Sequence, residues 1–297
     1  MTSRKQEEAL DYFTTHAKEW AKKAISSDRG KVNVIQQRNQ YVLKVFEDRS
    51  ETRSVLDVGS GTGDLVCEIA KQGVSALGVD FARKMIDIAL QKKQEMQLEM
   101  AHFECCSIFD CNFTEREFDL ISANGFIEYL SQDEMSDFFD LVQKILAPRG
   151  SFVVSSRNRL FNITSMSPFT KDELKGKDVE ALINEAAALA SNADIAELLA
   201  IIPASLQEPD IKLARTGVDV ESRFQFTPVQ LMQMLNTRDL NPVELYPIHI
   251  HGVPPTFKGK HPEVHASISN LLQTHAEQNT EFIPFSSTFM LHVQKGD

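Results

Sequence analysis

Apolar and polar positions along the chain change period near residue 54. Before it the spacing is helical: Tyr12, His16 and Trp20 fall at i, i+4 and i+8, and Val34, Tyr41, Val42, Val45 and Phe46 mark a second helical segment. After it, short β-branched runs alternate with helical ones. SVLDVG (54–59), VSALGVD (74–80), MAHFECC (100–106), FDLISAN (118–124) and SFVVSSR (151–157) read as strands. Asp64 to Lys71, Ala82 to Met96 and Asp133 to Ala147 read as the helices between them, the last bounded by Pro148 and Gly150. This alternation predicts βαβ crossovers and a parallel sheet covered by helices on both faces.

Residues 161–222 interrupt the alternation. Val179, Leu182, Ile183 and Ala186, then Ile195, Leu198, Leu199 and Ile202, have amphipathic helical spacing and need an apolar partner. The stretch holds 5 Lys or Arg against 11 Asp or Glu. It is expected to be a helical insertion serving as a lid or a dimer surface. Strand-like VELYPIHI (243–250) and SSTFMLHVQ (286–294) then frame a helix from Val264 to Glu277, after a helix from Thr227 to Leu235. The expected organisation is an N-terminal helical cap over 1–50, a core of 51–160 and 223–297, and the insertion over 161–222.

Composition narrows the function classes. The chain has 297 residues, 42% hydrophobic and 25% charged, with a formal charge of −11. No basic stripe is present to neutralise a phosphate backbone, so nucleic acid is not expected as a partner, nor is an anionic membrane surface. The most apolar stretch, Ala181 to Leu206, is broken by Asn184, Glu185, Asn192, Asp194 and Glu197 and cannot span a bilayer. MTSRKQEEALDYF has no apolar signal region, and the cysteines (67, 105, 106 and 111) lack CxxC spacing. Reduced thiols and a cytoplasmic location are expected.

The sharpest local signal is LDVGSGTGD (56–64): a strand end, glycines at 59, 61 and 63, then a helix start. Glycine allows positive φ and close approach of backbone to a ligand. Asp80 ends the next strand, 19 residues after Gly61, where a carboxylate can accept both hydroxyls of a ribose held over the loop. A dinucleotide site uses GxGxxG and a pyrophosphate on the helix N-terminus. Here the spacing is GxGxG followed by Asp64, which disfavours a nicotinamide dehydrogenase, while Asp57 suits a cationic ligand.

Together, these segments resemble the class I S-adenosylmethionine-dependent methyltransferases. LDVGSGTGD resembles their first motif, GVDFARKMIDIA (78–89) the ribose-acid segment, FDLISANGFIEYL (118–130) the fourth motif and LAPRGSFVVS (146–155) the lead-in to strand five. The resemblance covers residues 54–158. It implies a doubly wound, mostly parallel seven-stranded sheet with an antiparallel last strand, S-adenosylmethionine as cofactor and S-adenosylhomocysteine as product. It also places residues. Gly59, Ser60 and Gly61 would line the methionine and ribose, and Asp57 would help to hold the amino end. Asp80 would bind the ribose, and Phe81 and Met85 would lie beside the adenine. Ser107 and Ile108 stand where many relatives carry an Asp that meets the adenine amine. Asn124 would sit under the sulfonium, Arg38 near the methionine carboxylate, and Tyr12 and Trp20 on a helix folded over the cofactor.

ANGFIEYL lacks the Pro-Pro-aromatic sequence of base amino-methylases, so the expected acceptor is a small molecule, with Glu128 and Tyr129 beside it. Arg157 and Arg159 in RNRLFN (157–162) would grip an anionic or polyhydroxylated acceptor such as a sugar, sugar nucleotide or natural-product intermediate. His249 and His251 share one strand face and are the candidate general bases. With His261 and His265 they also give HxH and HxxxH spacings, which zinc tolerates, but no cysteine supports a metal and none is expected. An N-methyltransferase, a non-catalytic cofactor-binding partner subunit and a homodimer remain alternatives compatible with the sequence.

Overall fold

A computed structural model describes residues 4–26, 28, 30–114, 116–206, 224–277 and 279–297, with side chains from Gln6 onward. Two helices, α1 (Arg4–Ala24) and α2 (Val34–Glu47), precede the sheet. Then β1 (Ser54–Val58), α3 (Asp64–Lys71), β2 (Ser75–Val79), α4 (Arg83–Glu95) and β3 (Ala101–Glu104) follow in strict alternation. β4 (Phe118–Ala123), α5 (Gln132–Ile145) and β5 (Leu146–Arg157) complete the parallel part. The insertion contributes α6 (Leu160–Thr164), α7 (Pro168–Glu173), α8 (Val179–Ala190) and α9 (Ile195–Leu199). Last come α10 (Pro228–Asn236), β6 (Leu240–Ile250), α11 (Pro255–Lys260), α12 (Pro262–Gln273) and β7 (Ser286–Lys295). The part of the 161–222 insertion beyond residue 206 lies outside the described residues.

The strand order is β3-β2-β1-β4-β5-β7-β6. β1 to β5 pair in parallel, and β7 runs antiparallel between β5 and β6. The order reverses direction at β1 and β4, so the carboxyl ends of these strands open a crevice where ligands of such sheets bind. Successive residues feed opposite cores. Leu56, Ile121 and Phe152 join Phe138 and Phe139 of α5 on one face. Val55, Leu120 and Val153 join Tyr41, Val42 and Val45 of α2 and Leu65 and Ile69 of α3 on the other. Thus α2 packs on the sheet itself, whereas α1 lays Ala17 against Ala82 and Met85 at the start of α4.

Three expectations change. Strand five begins at Leu146, five residues earlier than the pattern indicates, because the chain passes from α5 into pairing with Phe118 before a register shift restores the ladder at Ser151. The apolar stripes of the insertion divide: Leu182 and Leu198, with Leu189, are fully buried in the main core beside Phe152 and Phe226, while Ile183 and Ile202 are exposed. Cys106 and Cys111 form a disulfide across a turn closed by Asp110 N–H donating to Ser107 O, with Cα atoms 6.1 Å apart, while Cys67 and Cys105 are free thiols. Among the described residues, no helix is long and apolar enough to cross a membrane.

Candidate active site

A cavity of about 580 Å³ opens over the carboxyl ends of β1, β2, β4, β5 and β6. Its first wall is the glycine loop. Gly59 (φ +69°) and Gly61 (φ +53°) adopt the left-handed region, and a Cβ at Gly61 would meet nothing within 4 Å. That open side faces the cavity. The N–H groups of Gly59 and Ser60 donate to Val79 O at 2.9 and 3.1 Å, which ties the loop to β2. The Ser60 side chain turns toward Gly78 rather than the cavity: a Cβ at Gly78 would lie 2.8 Å from Ser60 Oγ.

Asp80 accepts from Gly61 N–H at 2.9 Å and from Ala82 N–H at 2.8 Å, so one carboxylate fastens the loop and the residue that leads into α4. Burial pushes Asp80 up to about 6 against the lowering effect of those two N–H groups. Burial pushes Asp57 further, to about 7, opposed by Ser122 and reinforced by the nearby Asp80 and Asp64 charges. Two buried carboxylates on one wall are costly as anions until a cation joins them. Asp64 is already answered: Lys92 Nζ lies 2.6 Å from its Oδ1. Its charge is therefore a weaker objection to a pyrophosphate than the sequence implies, and the GxGxG spacing carries that argument.

The other expected cofactor contacts converge. Arg38, Phe81, Met85, Ser107, Ile108 and Asn124 all line the cavity. Arg38 packs against Gly125, where a Cβ would come within 2.5 Å of Nη1, and Asn124 Oδ1 is buried without a hydrogen-bond partner. Trp20, Glu128 and Tyr129 are also in the wall. Tyr12 is not; it stacks on His16 with ring centroids 4.4 Å apart. The inward stripe of α1 is Ala9, Phe13, Ala17 and Trp20, with Phe13 edge-on to Tyr129 at 5.5 Å. The two alanines are nearly fully buried and let the helix approach closely, a signal that a search for aromatic spacing overlooks.

At the opposite end the arginines separate. Arg157 lines the cavity. Arg159 does not reach the acceptor side: it is only 1% exposed and is gripped by Glu173 at 3.0 and 3.1 Å, Asp178 at 3.2 Å and Ser205 O at 2.8 Å. It pins α7 and the loop after α9 to the end of β5.

The histidines come together. His249 has φ +55°, a strained conformation for a non-glycine residue, and Gln37 of α2 holds its N–H at 3.0 Å. The result sets the His249 and His251 rings 4.2 Å apart in the cavity wall. His265 of α12 joins them, its Nε2 3.0 Å from His249 Nε2, while His249 Nδ1 meets Ser287 Oγ at 3.0 Å. Lys258 of α11 donates to His249 Nε2 at 3.4 Å. Both ring nitrogens of His251 are buried with no hydrogen-bond partner. Burial drives His249 well below the usual histidine range, His251 to about 3 and His265 to about 4, with neighbouring positive charge adding to each. All three are neutral at physiological pH. His261 stays apart, against Phe257 at 4.8 Å. The sequence does not mark Phe13, Phe161 and Lys258, which line the cavity, and it links His265 to His249 and His251 only through the zinc-compatible spacing.

Known proteins resemble this chain in sequence and fold. A methyltransferase-domain family model matches residues 49–215. The ubiquinone biosynthesis O-methyltransferase of Coxiella burnetii is 28% identical over 156 residues, 52% of this chain and 63% of that protein. The chain therefore spans less than two thirds of that relative's length. The magnesium protoporphyrin IX methyltransferase of Synechocystis PCC 6803, solved with bound SAH, superposes with a TM-score of 0.56 at 12% identity, covering 98% of this chain and 100% of that one. The N-methyltransferase NodS of Bradyrhizobium japonicum WM9, also with SAH, superposes with a TM-score of 0.52 at 13% identity over 94% and 98% of the two chains. At these identities the structural likeness is one of fold.

Proposed function

The chain belongs to the methyltransferase-domain family, and we propose that it transfers a methyl group from S-adenosylmethionine to a hydroxyl oxygen of a small molecule. The observation that carries the reading is the glycine loop with its two buried carboxylates, Asp57 and Asp80, on one wall of a 580 Å³ cavity. That wall suits a ligand with a ribose and positive charge. Asp80 keeps a lone pair on each oxygen beyond those used by Gly61 and Ala82, enough for two ribose hydroxyls. Asp57 faces the ammonium and sulfonium side, Arg38 the carboxylate, and Phe81, Met85, Ser107 and Ile108 the adenine. Gly59, Ser60 and Gly61 contribute backbone, and Phe13 and Trp20 cover the cavity from α1.

Bound there, S-adenosylmethionine supplies the electrophilic methyl. The chain's own work is alignment, exclusion of water and proton handling. Asn124, Glu128 and Tyr129 border the space between loop and acceptor. A hydroxyl must lose its proton as the new O–C bond forms, and the proton passes to an imidazole. His251 is the better placed acceptor because its two nitrogens are unengaged, whereas both nitrogens of His249 have partners. His249 then acts as its neighbour and support. The insertion, whose Phe161 and Phe169 line the cavity, shields this end from solvent.

A labelled-methyl transfer assay over matched hydroxyl and amine acceptors tests the reading. Product on hydroxyl acceptors, with His251→Ala lowering turnover about a hundredfold or more, supports it. Transfer to amines alone, insensitive to His251, would replace it with N-methylation. Cofactor binding without transfer to any acceptor would leave a cofactor-binding partner subunit.

A further inference from the structure

The charges in the cavity wall are segregated. Carboxylates come from the strand ends, the start of α3 and the turn nearest the glycine loop: Asp57, Asp64, Asp80 and Glu128, with Arg38 the one described cation among them. Among the described residues, β5, β6, β7, α6, α7 and α11 contribute no carboxylate to the wall; they contribute Arg157, His249, His251 and Lys258. The two imidazoles are neutral, so in a chain of net charge −11 Arg157 and Lys258 alone make this end of the wall locally positive. Lys258 has no carboxylate within ion-pair distance among the described residues; its recorded contact is the weak one to His249. Burial lowers its pKa, so the ammonium is held at a cost that no carboxylate among the described residues offsets.

Resting on the methyl-transfer reading above, we propose that the acceptor carries an ionised oxyacid group, a carboxylate or a phosphate, and that Lys258 with the adjoining imidazole cluster binds it. Three observations support this. The unsatisfied nitrogens of His251 lie in the wall and gain a partner when an oxyanion or its neighbouring hydroxyl enters. An anion beside Lys258 also offsets one of the positive charges that, after burial and the neighbouring imidazoles, lower the basicity of His249 and His251. Finally, the rival occupant fits poorly. The three imidazoles bring one nitrogen each within 4.8 Å of one another, as a divalent cation would ask. Such an ion on His249 Nε2 would face the Lys258 ammonium, which stands 3.4 Å from that same nitrogen. Like charges at that range in a buried site repel strongly, whereas an anion there is attracted.

Calorimetric titration of matched ligands tests the proposal, with S-adenosylhomocysteine absent and then saturating. The arms are 2-naphthoate against 2-naphthamide, and phenyl phosphate against phenol. The expected result is about tenfold tighter binding of the anion in at least one pair, equivalent to about 1.4 kcal/mol. Which pair responds separates carboxylate from phosphate. The preference disappears in Lys258→Met and persists in Lys258→Arg. Equal affinity within both pairs, no saturable binding of either anion, or a preference that survives Lys258→Met would overturn the proposal. So would one-to-one zinc binding that His265→Ala abolishes and that expels the anion. Failure of S-adenosylhomocysteine to bind counts against the methyl-transfer reading instead, because the anion preference is read in the free protein as well.

Discussion

Asp80 reaches across 19 residues of sequence to accept the backbone N–H of Gly61 at 2.9 Å, while its other oxygen accepts Ala82 N–H at 2.8 Å. One side chain thus sets the glycine loop and the start of α4 in a fixed relation. The ligand wall is held in shape before anything binds, which lowers the ordering cost of binding. Replacing Asp80 by Ala removes the charged acceptor for the ribose as well as this brace. Hydrogen bonds to a charged group are worth about 1.5–3 kcal/mol, so affinity for S-adenosylmethionine falls about ten- to hundredfold. Equilibrium dialysis with labelled cofactor reads the loss. Asp80→Asn gives an intermediate result, since it keeps an acceptor oxygen and loses the charge.

Gly61 and Gly63 separate ligand space from packing. Both have positive φ, so an alanine at either costs on the order of 1 kcal/mol in backbone strain. At Gly63 the new Cβ would also fall 2.6 Å from the Phe103 ring and 2.8 Å from Ala89 Cβ. Gly63→Ala therefore destabilises the protein by about 2–4 kcal/mol, the strain plus about 1–3 kcal/mol of overpacking. Gly61→Ala stays close to wild type in thermal unfolding but binds cofactor poorly, because its methyl occupies the open side of the loop. Equal unfolding temperatures for the two variants would contradict the assignment.

The raised carboxyls make a signed pH prediction. Asp57 holds its proton to about pH 7 in the folded protein but titrates near its ordinary 3.8 when unfolded. Between these values the native state binds more protons than the unfolded state, so the group's contribution falls as pH rises, by about 1.4 kcal/mol per pH unit at most. His249, His251, His265 and His292, all lowered by burial, act in the opposite direction over an overlapping window. The difference between wild type and Asp57→Asn isolates the carboxyl. Without ligand, the variant is more stable at pH 8 and loses that advantage toward pH 4. Cofactor affinity of the wild type rises from pH 5 to pH 8 as both carboxyls ionise, and the variant has a shallower slope. Chemical denaturation and titration at several pH values check both.

Arg159 is a stability residue. Its guanidinium is buried with Glu173, which is only 5% exposed, at 3.0 Å and with Asp178 at 3.2 Å. Truncating one member of a buried pair strands the other charge and costs about 3–5 kcal/mol. Arg159→Ala lowers stability by that order, yet the fraction that remains folded binds S-adenosylhomocysteine with wild-type affinity. A large loss of affinity at unchanged stability would return Arg159 to the ligand.

How much of this was legible in the sequence depends on the range of the forces involved. LDVGSGTGD announces its strand, loop and helix because β-branched residues, glycines and a helix start are local signals, and the alternation announces the parallel crossovers, though not the order of the strands. The role of Arg159 is hidden for the opposite reason. A charge just past a strand end looks solvated, and nothing local pairs it with Glu173 and Asp178. Tyr12 stands out in the sequence because its aromatic spacing to Trp20 is visible, while the face of α1 is chosen by the small Ala9 and Ala17 that let it approach and that bring Phe13 inward. Lys258 and His265 enter the site from two separate helices after β6, a convergence that only tertiary structure displays. The early start of β5 passes through Pro148 and Gly150, residues that read as a stop.

The most direct test of the account is calorimetric titration of the unliganded protein with S-adenosylhomocysteine at pH 7.5. The account predicts saturable one-to-one binding that Asp80→Ala weakens about tenfold or more. Absence of saturable heat with a folded protein, or equal affinity in wild type and Asp80→Ala, would contradict it.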